Sequence, residues 1–276
     1  MSNQTKLMTV KEAIITAMSE EMRRDENVFL IGEDVGIFGG DFGTSVGMLE
    51  EFGSERIKDT PISESAISGT AIGAAMTGLR PIVDVTFMDF IVYMMDNIVN
   101  QAAKTRYMFG GKGQVPVTFR CAAGSGVGSA AQHSQSLESW FCNIPGLKVV
   151  APGTPADVKG LLKSAIRDNN PVIFLEYKAQ YNMKGEVPID PDFIIPLGKG
   201  EIKMNKIVSA LLVVVMIGAV VWSFAFGVPM YMVWQQQKAG EAELARAEQN
   251  RQVAVLEAKA KLDSAESLAQ AEVKRA

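Results

Sequence analysis

Two short stretches carry residues able to handle protons. "DTPISE" (59–64) ends in Glu64, where an extended segment gives way to small residues at helical spacing. A helix dipole stabilises a carboxylate in its first turn, so an ordinary first-turn acid is the plainer reading of the same position. "AAQHSQS" (130–136) holds His133, the one histidine of the chain. Imidazole titrates near neutrality, which suits proton transfer. A lone histidine is more often structural. This one lies in a polar Gln-His-Ser-Gln stretch behind the glycine-rich loop "GSGVGS" (124–129), an unusual place for a core residue. That loop lacks a full G-x-G-x-x-G and the later acid of a dinucleotide site, so it reads as a flexible loop beside a site.

The elements that must position these residues alternate. Thr9 and Glu12 form a capping box ahead of a helical pattern reaching Met22. "VFLIGED" (28–34) reads as a strand ending in acids, and "GIFGGDFG" (36–43) as a loop. Helices are expected over 64–78, 90–108 and 154–168, with Pro155 near the start of the last. Strands are expected over 81–87, 115–120, 147–152 and 171–177. Several are continuous apolar runs. Strand–helix alternation with such runs predicts an α/β fold, a parallel sheet with helices on both faces. Ligands of such sheets bind at the carboxyl ends of strands, which singles out loops 34–43, 59–65, 86–90 and 121–136.

The totals exclude several functions. A net charge of −4 argues against nucleic-acid binding. Cys121 and Cys142 form no Cys-x-x-Cys, which argues against a disulfide scaffold or zinc site; they read as small hydrophobes in a reducing cytoplasm. The N-terminal stretch has no apolar signal core, so the first domain is expected to stay in the cytoplasm.

"DTPISESAISGTAIGAAMTGLRPIVD", "AAQHSQS", "PGLKVVAPGTPADVKGLLKSAIRDNNPVIFLE" and "PLGKGEIK" together resemble the β subunit of thiamine-diphosphate-dependent 2-oxo acid dehydrogenases, the pyruvate or acetoin type of first component. The resemblance runs from about Thr9 to Lys203. It implies a transketolase-like pyrimidine-binding domain over 1–203, oxidative decarboxylation, and acyl transfer to a lipoyl group. It implies that Glu64 hydrogen-bonds the aminopyrimidine of thiamine diphosphate and that Phe90 stacks on that ring, a core aromatic being the alternative for Phe90. It implies that His133 assists proton transfer or orients the lipoyl or acyl group. It also implies potassium ligation by Val117, Ala165, Ile166, Asp168 and Asn170, mainly through backbone carbonyls, which suit a hard cation. A helix ending there without an ion is the alternative. No Gly-Asp-Gly occurs, so the magnesium and diphosphate half-site is expected from an α subunit. The implied assembly is a hetero-oligomer with that α subunit and a lipoyl acyltransferase core, the chain being inactive alone.

The resemblance stops near Lys203, where the family continues into a C-terminal domain that is expected to be missing. Residues 207–227 are all apolar or small, and no charge occurs from Ile207 to Gln237. At ~1.5 Å per residue this run spans a bilayer, so 204–234 reads as a transmembrane helix with Trp222, Tyr231 and Trp234 toward one interface. Residues 235–276 read as an Ala-rich charged helix, a possible coiled coil, with pairs such as Glu243/Arg246 and Glu257/Lys261. Residues 204–276 resemble the start of a small prohibitin- or stomatin-like membrane protein. The expectation is therefore a membrane-anchored chain with its enzyme domain in the cytoplasm, two unrelated sequences joined at Met204. The alternative is a membrane scaffold or an artefactual fusion carrying an inactive enzyme domain.

Overall fold

The computed structural model describes residues 4–200 and 206–273. The chain divides into two units, Met1–Gly200 and Glu201–Ala276. The first contains β1 (Thr5–Thr9), α1 (Val10–Arg24), β2 (Val28–Gly32), α2 (Met48–Phe52), β3 (Ile57–Asp59), α3 (Glu64–Met76) and β4 (Arg80–Phe87). It continues through α4 (Ala103–Met108), β5 (Thr118–Ala123), α5 (Glu138–Cys142), β6 (Lys148–Val150), α6 (Pro155–Arg167), β7 (Val172–Tyr177) and β8 (Lys184–Pro188).

Six strands form one sheet in the order β3-β2-β4-β5-β7-β6, and every adjacent pair is parallel. Successive residues of a strand face opposite sides. Phe29 and Ile31 therefore join Val83, Phe119 and Ile173 under α3 and Phe141 of α5, while Val28 and Leu30 join Ile82, Val172 and Phe174 under α1 and α6. Both faces are covered, which is why these strands are apolar without alternation. The capping box is present: Glu12 N–H donates to Thr9 Oγ1 at 3.2 Å, and Thr9 N–H donates to Glu12 Oε2 at 2.6 Å. Thr154 caps α6 through Asp157 N–H at 3.2 Å, with Pro155 in the first turn.

Three expectations need correction. The helix expected over 90–108 is not one regular helix. It is a 3₁₀ segment over Met88–Met94, a π-helical segment over Asn97–Ala102, then α4. Met88, Ile91 and Met94 are buried at intervals of three, matching a 3₁₀ turn; Met94, Ile98 and Ala102 follow at intervals of four under the wider winding. The change of pitch keeps one face on the sheet. Second, β5 starts at Thr118 rather than Val115, because Pro116 has no N–H for a central ladder. Third, β1 and β8 pair antiparallel in a separate ribbon that no apolar pattern announced.

Charges buried between elements tie them together. Lys159 and Lys163 of α6 meet Glu20 of α1 at 2.8 and 2.5 Å, and Arg167 meets Glu21 at 2.7 Å.

In the second unit, α7 (Lys206–Trp222) leads through a π-helical segment, Ser223–Gly227, into α8 (Val228–Val273). Pro229 lacks the N–H that would bond to residue 225, and the wider turn before it accommodates its ring. The helix runs without interruption through 234/235, where an apolar span and a charged helix were expected to divide. The helical run Ala210–Lys261 holds an apolar stretch that by length and composition alone could cross a membrane. The expected junction at Lys203/Met204 lies outside the described residues.

Candidate active site

Because all six strands are parallel, their carboxyl ends share one edge of the sheet. The segments leaving that edge carry Glu33 after β2, Glu64 after β3, Asp89 and Phe90 after β4, His133 after β5 and Lys178 after β7.

Glu64 is the first residue of α3 and is half-buried. Ser63 Oγ donates to Pro61 O at 2.9 Å in the turn from β3, and α3 packs against Met88–Met94. Burial, and after it the charge of Glu64, raises the Glu33 carboxyl above its ordinary pKa. Glu33 Oε1 is buried without a hydrogen-bond partner. Two carboxyls at adjoining strand ends favour a state in which one keeps its proton. Glu33 was not among the residues singled out for chemistry, although its strand was seen to end in acids.

His133 closes a 3₁₀ turn, Ala131–His133, and is half-buried. Its imidazole stands edge-on to Phe87, at 4.5 Å between centroids and 83° between planes, and to Phe90, at 5.3 Å and 84°. Its Nδ1 is buried with no partner. Phe87 continues the cluster to Phe42 at 5.2 Å and Phe42 to Tyr181 at 5.1 Å. Phe90 thus belongs to an aromatic wall around His133 and not to the buried core.

The backbone is strained on both sides of this wall. Thr86 has φ of 62° and Ala130 has φ of 63°, a left-handed region that favours glycine. At Thr86 the β4–β5 register shifts between Asp84 and Phe87, and Thr86 N–H donates to Asp84 Oδ1 at 2.9 Å. Such an irregularity re-aims the next side chain, here Phe87. Asp89 is buried; its Oδ1 accepts from Gln135 N–H at 3.2 Å and Gln135 Nε2 at 2.9 Å, while Oδ2 has no partner. The buried acid anchors the loop that presents His133. A cavity of about 440 Å³ lined by Ser125, Ser136, Tyr177 and Gln180 opens at this edge. Cavities of about 490 and 530 Å³, beside Arg106 and Arg80, lie at the opposite strand ends and touch none of these residues.

The five residues of the implied potassium loop meet where α6 turns into β7 beside the entry to β5. Val117 O accepts from Val172 N–H at 2.9 Å and Ala165 O from Asp168 N–H at 3.1 Å. Arg80 Nη1 donates to Ile166 O at 2.9 Å and Asp168 O at 3.1 Å. Asn170 N–H and Lys148 Nζ donate to the Asp168 carboxylate. Burial raises the Asp168 pKa, but the bonds from Lys148 and Asn170 outweigh it and leave it lowered. Each carbonyl keeps a second lone pair, so the donor set suits a hard monovalent cation in kind. For the pyrimidine end of thiamine diphosphate the residues also fit: Glu64 at a helix N-terminus, a neighbouring carboxyl with an orphan oxygen, an aromatic wall, and an imidazole with an orphan nitrogen.

Comparison with known proteins agrees with this architecture. The family described as "Transketolase, pyrimidine binding domain" matches residues 6–184. The chain is 52% identical over 210 residues to the acetoin:2,6-dichlorophenolindophenol oxidoreductase subunit beta of Bacillus subtilis, covering 72% of this chain and 61% of that one. It is 52% identical over 195 residues to the pyruvate dehydrogenase E1 component subunit beta of Rhizobium meliloti, covering 71% of this chain and 42% of that one. The chain therefore spans only about half the length of these curated relatives. A solved structure titled "Split gene transketolase, inactive beta4 tetramer" superposes with a TM-score of 0.54 at 21% identity, covering 71% of this chain and 58% of that one, which speaks to the fold alone.

Proposed function

Through residues 6–184 this chain belongs to the transketolase pyrimidine-binding domain family, and on that premise we propose that it is the β-subunit portion of a 2-oxo acid dehydrogenase first component. The observation that carries this reading is the convergence of Glu64, Phe90 and His133 on one strand-end edge, with Glu33 beside Glu64.

Bound thiamine diphosphate would supply a nucleophilic carbon and an electron sink for decarboxylation. The chain's own residues then have separate tasks. Glu64 would accept a hydrogen bond from a pyrimidine ring nitrogen, a charge-assisted bond that strengthens as water is excluded. Glu33 stands behind it as a partner that can hold a proton. Phe87 and Phe90 wall off water and give the ring a flat surface. His133, with Nδ1 free, gives or takes a proton at the substrate side or orients the acyl acceptor. Magnesium and the diphosphate contacts come from an α subunit, and the acyl group passes to a lipoyl acyltransferase, so the working form is a hetero-oligomer. Names of the relatives divide among acetoin, pyruvate and 2-oxoisovalerate, and the substrate class proposed is a 2-oxo acid, straight or branched, or its acyloin.

The test is dye reduction by the chain combined with an α subunit, with 2-oxo acid as electron donor. Activity should require both chains, and Glu64→Gln should lower it by about 10²–10³-fold, the usual loss for one charged contact in a water-excluded site. An unchanged rate in the variant would remove Glu64 from its role.

A second proposal concerns the tail. The uncharged helical run within Ala210–Lys261 favours anchoring of the chain in a membrane, with the first unit in the cytoplasm. Alkaline carbonate extraction of membranes carrying the full chain checks it: release into the supernatant counts against anchoring.

A further inference from the structure

We propose that Lys178 is a positioning residue for His133, pinning the backbone of the His133 turn to the end of β5 and thereby setting the imidazole against Phe87 and Phe90. The proposal rests on the preceding reading only for what His133 does chemically. Lys178 follows β7 directly and is buried. Its Nζ donates to His133 O at 2.8 Å and to Ala122 O at 3.3 Å, and it lies 5.1 Å from the centroid of the Phe87 ring. One ammonium therefore touches the strand, the loop and the ring that meets His133 edge-on.

Its cost argues for a task. A buried ammonium is unfavourable unless paired. Lys178 meets two carbonyls and an aromatic face, while Asp89 acts on it through space. Burial lowers the Lys178 pKa, and Asp89 opposes that. An apolar residue would end β7 at less cost. The loop between Ala122 and His133 explains why a tie is needed. Gly124, Gly126 and Gly128 all have positive φ, so the segment has large conformational freedom to lose. Asp89 and Gln135 fasten its far side, and Gly124 N–H donates to Gln135 O at 2.9 Å. Lys178 fastens His133 itself. The charged groups facing the turn are thus Lys178 from the β7 side and Asp89 from the 3₁₀ segment after β4.

The chain has one histidine, so a ¹³C-histidine label reports on His133 alone. In the unaltered full chain the ring signals should be displaced from those of free histidine by the ring currents of Phe87 and Phe90. Lys178→Met should bring them back toward free histidine, and Lys178→Arg, which can still donate to both carbonyls, should restore them. With an α subunit present, Lys178→Met should lower kcat about tenfold or more with KM little changed, as expected of a misplaced group. A folded Lys178→Met chain with unchanged His133 signals overturns the proposal. So do free-histidine signals in the unaltered chain, a measurement that stands even where the variant fails to fold. Signals that collapse while turnover stays the same uphold the positioning and instead remove His133 from the chemistry.

Discussion

Arg120 of β5 and Glu176 of β7 face each other as a buried, two-point ion pair, Nε to Oε1 at 2.6 Å and Nη2 to Oε2 at 3.1 Å. Asp84 of β4 accepts from Arg120 Nη1 at 3.2 Å, and Tyr181 O–H donates to Glu176 Oε2 at 3.0 Å. Burial alone would lower the Arg120 pKa, but Glu176 and Asp84 outweigh it and raise it. Removing the Glu176 charge leaves the buried Arg120 guanidinium with Asp84 alone, through a single contact in place of three. Glu176→Gln should therefore destabilise the first unit by about 3–5 kcal/mol in urea unfolding of the full chain. Arg120→Met combined with Glu176→Leu should cost less than the single change. A single-variant loss below about 1 kcal/mol, the level of an exposed pair, would show that water reaches the guanidinium.

Glu33 has the opposite electrostatics. Burial and Glu64 raise its folded-state pKa, so the folded chain holds the Glu33 proton more firmly than the unfolded chain does. The stability tied to that proton is fully present below the unfolded value, about 4.3 for an ordinary glutamate, and is lost as pH rises through the raised folded value. Glu33→Gln keeps the neutral shape. Its melting temperature should exceed that of the unaltered chain at neutral pH, and the gap should close toward pH 4. A gap independent of pH would mean that Glu33 ionises freely.

How much of this was legible follows from which forces leave a local trace. The cap at Thr9 and Glu12 and the apolar runs of β2 and β7 state their structure within a few residues, so the covered parallel sheet could be read directly. Glu64 and His133 were legible through a family resemblance; as isolated types, a first-turn acid and a lone histidine are ambiguous. The ribbon of β1 and β8 left no trace, because its two short strands lie far apart in sequence and bury only Met8 and Val187, too few apolar positions to make a pattern. The winding change after Met88 depends on contact with the sheet. Lys178 is a lysine after a strand until the fold brings His133 O to its Nζ.

The potassium site that the family resemblance implies at the α6–β7 turn gives a prediction that needs no catalysis. A ligand bound only by the folded state stabilises it by RT ln(1 + [L]/Kd), about 2.7 kcal/mol at a hundredfold excess over Kd. The full chain should melt at a higher temperature in KCl than in NaCl of equal concentration. Because ionic strength is matched, screening of Lys148 and Asp168 cancels. Asp168→Asn, which removes the negative charge but keeps an oxygen, should shrink the difference. Equal melting temperatures in the two salts would take the ion out of this turn and leave Arg80 and Lys148 as its sources of positive charge.

Ala130 provides the last test, because its backbone conflicts with its side chain. At φ of 63° and ψ of −174° it occupies a region that glycine enters freely and alanine does not. That strain costs of order 1–3 kcal/mol, while glycine gives back about 0.5–1 kcal/mol through the entropy of the unfolded chain. Ala130→Gly should therefore stabilise the first unit, by about 1 kcal/mol in urea unfolding. It should also loosen the turn that ends at His133, since Ala130 O accepts from His133 N–H at 3.3 Å and from Ser134 Oγ at 2.8 Å. A more stable chain with lower partner-dependent turnover would show that the strained residue holds the histidine in place. A less stable one would show that the Ala130 methyl group makes contacts worth more than the strain.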